Sequence, residues 1–212
     1  MKSFFTNDVA FGDFVYECLF DDKKSYQTQG EKDYILSLPI AHVYTLSIPE
    51  NYTFKPLYPS ARQSEIESIS NRKVKEEKYF SWRLLEYALS RTFGYKINEL
   101  NFTKTENGKW LLDNCYISLS HSHGVVAVAV SKKPIGVDVE LIKKPKNNAV
   151  ERALNGCEKK ALKSVCQQEK DKFLITTWSK KESAYKRKGE GKFMPSKIDS
   201  TKHNFFEKIN LD

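Results

Sequence analysis

Two hydrophobic periods divide this chain. Between Tyr116 and Glu140 the period is two, and YISLSHSHGVVAVAVSKKPIGVDVE reads as a strand, a polar corner, an apolar strand, a turn and a last strand. Val125 to Val130 is an unbroken run of valine and alanine, which suits a strand buried on both faces. Lys132-Lys133-Pro134 supplies the turn, because proline cannot donate to a ladder. In Gly136-Val137-Asp138-Val139-Glu140 the alternation puts both valines on one side and both carboxylates on the other. Carboxylates so placed repel each other unless something positive sits between them, and a divalent cation meets that need.

Elsewhere the same reading gives strands over 14–20 and 41–48, rich in aromatic and β-branched residues, with a polar, turn-like stretch at 21–30. Pro49, Pro56 and Pro59 make 49–60 a loop. From Ser64 to Phe93 the pattern turns helical. Trp82, Leu85, Leu89 and Phe93 form an apolar stripe, the first part is basic, and Gly94 marks the stop. Asn107-Gly108 signals a tight turn ahead of a strand pair. After the central strands, a basic linker at 143–148 leads to a helix over 149–168, with Ala153, Leu154, Ala161, Leu162 and Val165 on its apolar face. A third helix covers 173–187, closed by Gly189 and Gly191, and the polar end from Pro195 holds at most one short strand. Each half reads as a helix leading to strands, which allows a pseudo-twofold arrangement.

Composition narrows the function only coarsely. The chain has 212 residues, 40% of them hydrophobic and 13% aromatic, which indicates a folded protein. Its net charge of +8 favours an anionic partner: nucleic acid, a phosphorylated small molecule or an acidic protein. The four cysteines form no CxxC pair and no zinc spacing, and the start MKSFFTNDVA lacks an apolar leader core. No apolar run approaches the ~18 residues of a membrane span. These features lead us to expect a soluble, cytoplasmic protein.

Candidate chemistry lies at three places. Trp178, Glu182 and Lys186 are spaced i, i+4, i+8 and share a helical face. The plain alternative is an anchoring tryptophan beside a solvated ion pair. Ser120-His121-Ser122-His123 admits a zinc site through His121 and His123, with Asp138 as a further ligand, or a phosphate contact by serine and histidine at a strand corner. A serine hydrolase is disfavoured, since strand neighbours face opposite ways and no G-x-S-x-G occurs. The basic runs Arg72 to Lys78 and Lys180 to Lys188 open a non-enzymatic reading, a nucleic-acid-binding module with Tyr79 and Tyr185 as stacking residues.

Order and spacing together are more specific. Gly108-Lys109, then Ser120-His121-Ser122, then G-V-D-V-E at 136–140, then W-S-K-K-E-S-A-Y-K at 178–186 with Gly189-x-Gly191 resembles the 4′-phosphopantetheinyl transferase superfamily, in its larger, pseudodimeric type. The resemblance covers about Ile66 to Pro195. It implies an α+β fold of two small, mostly antiparallel sheet-and-helix subdomains, 1–122 and 123–212, with the active site between them in a monomer. It also implies transfer of the phosphopantetheine arm of coenzyme A to a serine of an acyl or peptidyl carrier protein, releasing adenosine 3′,5′-bisphosphate. By position, Asp138, Glu140 and Glu182 would hold Mg²⁺, with Mn²⁺ as a substitute. Glu182, or a water it orients, would take the serine proton, and Lys186 would neutralise charge on the bridging phosphate oxygen. Arg72, Lys109, Ser120, His121 and Lys186 would contact coenzyme A, with Arg72, Lys109 and His121 converging on its adenosine end. Replacing Asp138 by alanine is expected to stop transfer and spare the fold, because one of two repelling carboxylates is removed.

Overall fold

The computed structural model describes residues 41–145, 148–189 and 191–202, with the backbone paths of 14–20 and 205–207. The turn-like stretch expected at 21–30 lies outside the described residues. The fold is α+β, with antiparallel sheets. In chain order the strands are β1 (Phe14–Phe20), β2 (Ala41–Ser47), β3 (Phe102–Lys104), β4 (Trp110–Leu112), β5 (Tyr116–Ser122), β6 (Val125–Ser131), β7 (Ile135–Leu141) and β8 (Phe205–Glu207). The helices are α1 (Ser60–Glu67), α2 (Arg72–Phe93), α3 (Ala149–Arg152), α4 (Gly156–Ser164) and α5 (Lys170–Lys188).

β6 lies at the centre, as its composition predicts: all seven of its residues are buried. It pairs with β2 on one side and β5 on the other. Val126, Val128 and Val130 point into a core shared with Trp82, Leu85, Ala88 and Leu89 of α2. Val125, Ala127 and Ala129 point the other way, against Val137 and Val139 of β7. Alanine on that face lets β7 come close. The hairpin between β5 and β6 turns at His123-Gly124, whose φ angles of 50° and 80° fit a type I′ turn.

β7 pairs with β1, and β1 with β8, while α5 packs on the face of β7. β7 also lies beside β5 without sharing its ladder. The serines of β5 make this junction: Val137 N donates to Ser118 Oγ at 3.0 Å and Val139 N to Ser120 Oγ at 3.3 Å.

Two expected helices are in fact divided. The one expected over 64–93 starts earlier, at Ser60, and breaks at 68–71, where the Ser68 hydroxyl donates to Glu65 O and Asn71 caps a new start by accepting from Val74 N. Side chains of this kind compete with helical hydrogen bonding. The one expected over 149–168 breaks at Asn155, which forms a capping box with Glu158. Its expected apolar face is only partly used: Ala153 and Leu154 are buried, while Ala161 is exposed. Gly94 and Gly189 end α2 and α5 in the left-handed conformation. Among the described residues no helix is long and apolar enough to cross a membrane.

Candidate active site

Strand period places Asp138 and Glu140 on one face of β7, and α5 lays Glu182 and Lys186 across that face. Ligand atoms of Asp138, Glu140 and Glu182 lie within 4.8 Å of one another, the one grouping of three metal-ligand side chains found among the described residues. Three carboxylate oxygens suit a hard divalent cation. Asp138 is 1% exposed and fully engaged. Its Oδ1 accepts from Ser120 Oγ at 2.8 Å and Lys186 Nζ at 2.6 Å, and its Oδ2 from Ser179 Oγ at 2.8 Å. Glu140 accepts from Ser122 Oγ at 3.0 Å.

In this structure the positive group beside the carboxylates is Lys186, whose Nζ also stands 3.8 Å from Glu182 and donates to Ser120 Oγ at 2.9 Å. One ammonium does not offset three acids. Burial, and then the charge of Asp138, push Glu182 up to about 7. The same two causes raise Glu140. A site with surplus negative charge of this kind favours taking up a cation.

The expected coenzyme A contacts separate into two places. Lys109 and His121 line a cavity of about 300 Å³ together with Lys186 and Gly189. There Lys109 Nζ donates to Lys186 O at 2.6 Å, a cation at the C-terminal end of α5. Arg72 instead lines a cavity of about 1010 Å³ on the other side of His121, with its side chain 84% exposed and paired to Glu76 at 2.7 Å. Arg72 and Lys109 thus do not share one cavity, while His121 lines both. Ser120 is buried and gives its hydroxyl to Asp138.

The zinc alternative is not assembled: among the described residues the one grouping of metal-ligand side chains holds Asp138 without either histidine. His121 Nδ1 stands 2.9 Å from Glu77, and His123 meets Ser122 Oγ through Nδ1 and Lys143 Nζ through Nε2. The second basic run is also not a free patch. Lys181 is wholly buried, 2.7 Å from Glu158, and Lys186 is committed to Asp138. Tyr79 is buried with its hydroxyl accepting from Lys55 N, and Tyr185 donates to Gly191 O. Trp178 anchors α5 against Phe193, with ring centroids 5.5 Å apart.

Sequence reasoning missed Ser118, Ser122, Ser179 and Glu77. Their signal was present in part: Ser118, Ser120 and Ser122 alternate, so one face of β5 is a row of hydroxyls. Glu77 carried no signal beyond being an acid in a basic run.

Comparison with known proteins bears on the same residues. Residues 134–207, which hold Asp138, Glu140, Glu182 and Lys186, match the sequence model of the 4′-phosphopantetheinyl transferase superfamily. The chain is 33% identical over 106 residues to the 4′-phosphopantetheinyl transferase ffp of Bacillus subtilis, covering 48% of this chain and 47% of that protein. It is 24% identical over 153 residues to the 4′-phosphopantetheinyl transferase Sfp of Bacillus subtilis (strain 168), covering 71% and 68%. The chain resembles this superfamily, in its Sfp-like type. A third relative, the 4′-phosphopantetheinyl transferase gsp of Aneurinibacillus migulanus, is 32% identical over 95 residues, covering 44% of this chain and 40% of the relative. The matched stretch thus spans about half the length of several curated relatives, 47% and 51% of two of them.

Proposed function

We propose that this protein transfers the 4′-phosphopantetheine arm of coenzyme A to a serine of an acyl or peptidyl carrier protein, releasing adenosine 3′,5′-bisphosphate. One observation carries the reading: three carboxylates within 4.8 Å, with Lys186 beside them, inside the segment that matches the superfamily. Asp138, Glu140 and Glu182 would hold Mg²⁺, which would supply charge neutralisation at the pyrophosphate. Glu182, or a water it orients, takes the serine proton. Lys186 faces the charge that builds on the bridging oxygen as the bond to the leaving bisphosphate breaks. Lys109, Ser120, His121 and Arg72 serve the phosphates of coenzyme A.

The proposal treats 1–122 and 123–212 as two subdomains of one monomeric catalytic unit. In its support, Lys109 and His121 come from one and Asp138, Glu182 and Lys186 from the other. The expected setting is the cytoplasm.

Apo carrier proteins incubated with the enzyme, coenzyme A and Mg²⁺ should gain the mass of the arm, and a chelator should abolish the gain. Glu182→Gln keeps the side-chain shape but removes the proton acceptor, so turnover should fall by about 10²-fold or more. No mass gain on fatty-acid, polyketide or nonribosomal-peptide carriers would overturn the reading.

A further inference from the structure

The corner of the β5–β6 hairpin is gripped by a helix outside its own sheet. Glu77 of α2 places Oε2 2.9 Å from His121 Nδ1 and accepts from Gly124 N through Oε1 at 2.8 Å. The Glu77 side chain is only 14% exposed. Ile48 N adds a further bond to Gly124 O at 2.8 Å, so the corner is fixed from two sides. An ionised carboxylate only accepts, so the hydrogen of this contact belongs to His121 Nδ1. That leaves Nε2 as the free edge of the ring, with no hydrogen-bond partner among the described residues. The same ring lines both cavities in which the cations Lys109, Lys186 and Arg72 stand.

An acid here is otherwise unexpected. A glutamate at a site for phosphates repels the ligand unless a proton-carrying group stands between them, and His121 stands there. We propose that Glu77 is a positioning residue of the coenzyme A site: it fixes His121 with Nδ1–H toward the helix and Nε2 toward the ligand, and it balances the imidazolium that forms when a phosphate binds. This rests on the function proposed above. The charged groups acting on His121 are Glu77 and Lys78 of α2 and Lys186 of α5. Burial holds the ring below its ordinary range, with Glu77 opposing that shift. Phosphate binding then draws one proton from solvent onto Nε2, which becomes the donor to a phosphate oxygen.

Long-range ¹H–¹⁵N spectra of ¹⁵N-histidine-labelled protein read the tautomer directly. The His121 signals are those missing from His121→Asn. Wild type should show the Nδ1–H form. Glu77→Gln keeps an acceptor for Gly124 N but can donate to Nδ1, so the single tautomer should be lost while the rest of the spectrum stays dispersed. By calorimetry, Glu77→Gln should weaken coenzyme A about tenfold, as for a charge-assisted hydrogen bond lost. In the His121→Asn background the same change should have no further effect. An Nε2–H form in wild type, or an equal loss with and without His121, overturns the positioning role while coenzyme A binding stands. If wild type does not bind coenzyme A, the functional reading falls and this role with it.

Discussion

Asp138 has three donors on two oxygens and almost no contact with solvent. This reverses what charge repulsion alone leads one to expect of Asp138→Ala. Removing the carboxylate relieves Glu140 and Glu182, but leaves the buried hydroxyls of Ser120 and Ser179 without their acceptor and takes from Lys186 its shortest partner. An unsatisfied buried polar group costs about 1–3 kcal/mol, more than is recovered from a partly screened repulsion. Asp138→Ala should therefore lower the thermal midpoint as well as stop the proposed transfer. An unchanged midpoint in a calorimetric melt would show that the three donors find other partners. The sequence showed that Asp138 and Glu140 share a face, because strand period is a local property. It did not show the hydroxyls around them, because Ser179 comes from α5 and Ser120 from β5.

At the scale of elements, the site depends on how closely α5 lies on β7. Gly136 sets that distance: a Cβ added there would sit 1.9 Å from Ser183 O and 2.5 Å from Arg187 N. Both contacts are backbone or next to it, so a methyl can be fitted only by lifting the helix. Gly136→Ala should cost about 1–3 kcal/mol or more, as overpacking does. It should also weaken Mg²⁺ binding, since Glu182 and Lys186 move with α5 while Asp138 and Glu140 stay on β7. Isothermal titration with Mg²⁺ checks the second effect, and wild-type affinity in a destabilised Gly136→Ala protein would sink it. α5 is also secured through a buried cation. Lys181, wholly buried, pairs with Glu158 and donates to Pro195 O and Ile198 O, which ties α4 and the 195–200 segment to the helix that carries Glu182.

The molecule as a whole carries the electrostatic consequence. Glu182 is pushed up to about 7 from an ordinary 4.5, and Glu140 moves in the same direction. Between those limits the metal-free folded protein holds a proton that the unfolded chain has released. Stability from this source is therefore complete below about 4.5 and is lost as pH rises toward 7. The proposed Mg²⁺ would bind the ionised carboxylates, so its stabilisation should be larger at pH 8 than at pH 5.5. Thermal melts with and without Mg²⁺ at the two pH values measure this directly, and equal Mg²⁺ shifts at both would contradict it.

What the sequence by itself determined is what short-range periodicity encodes. The doubly buried β6, the carboxylate face of β7, the α2 stripe of Trp82, Leu85 and Leu89, and the glycine stops at Gly94 and Gly189 all follow from neighbours within a few residues. The resemblance carried by the order of the motifs belongs here too. Only tertiary structure decided the rest. It turned the repelling pair Asp138 and Glu140 into part of a cluster, by bringing Glu182 and Lys186 from some forty residues away. It converted the basic run around Lys181 from a surface feature into a buried ion pair. It also set Glu77 against His121, 44 positions apart in sequence. Each of these is a long-range encounter of side chains, and its energy depends on burial and on a partner that no local pattern specifies.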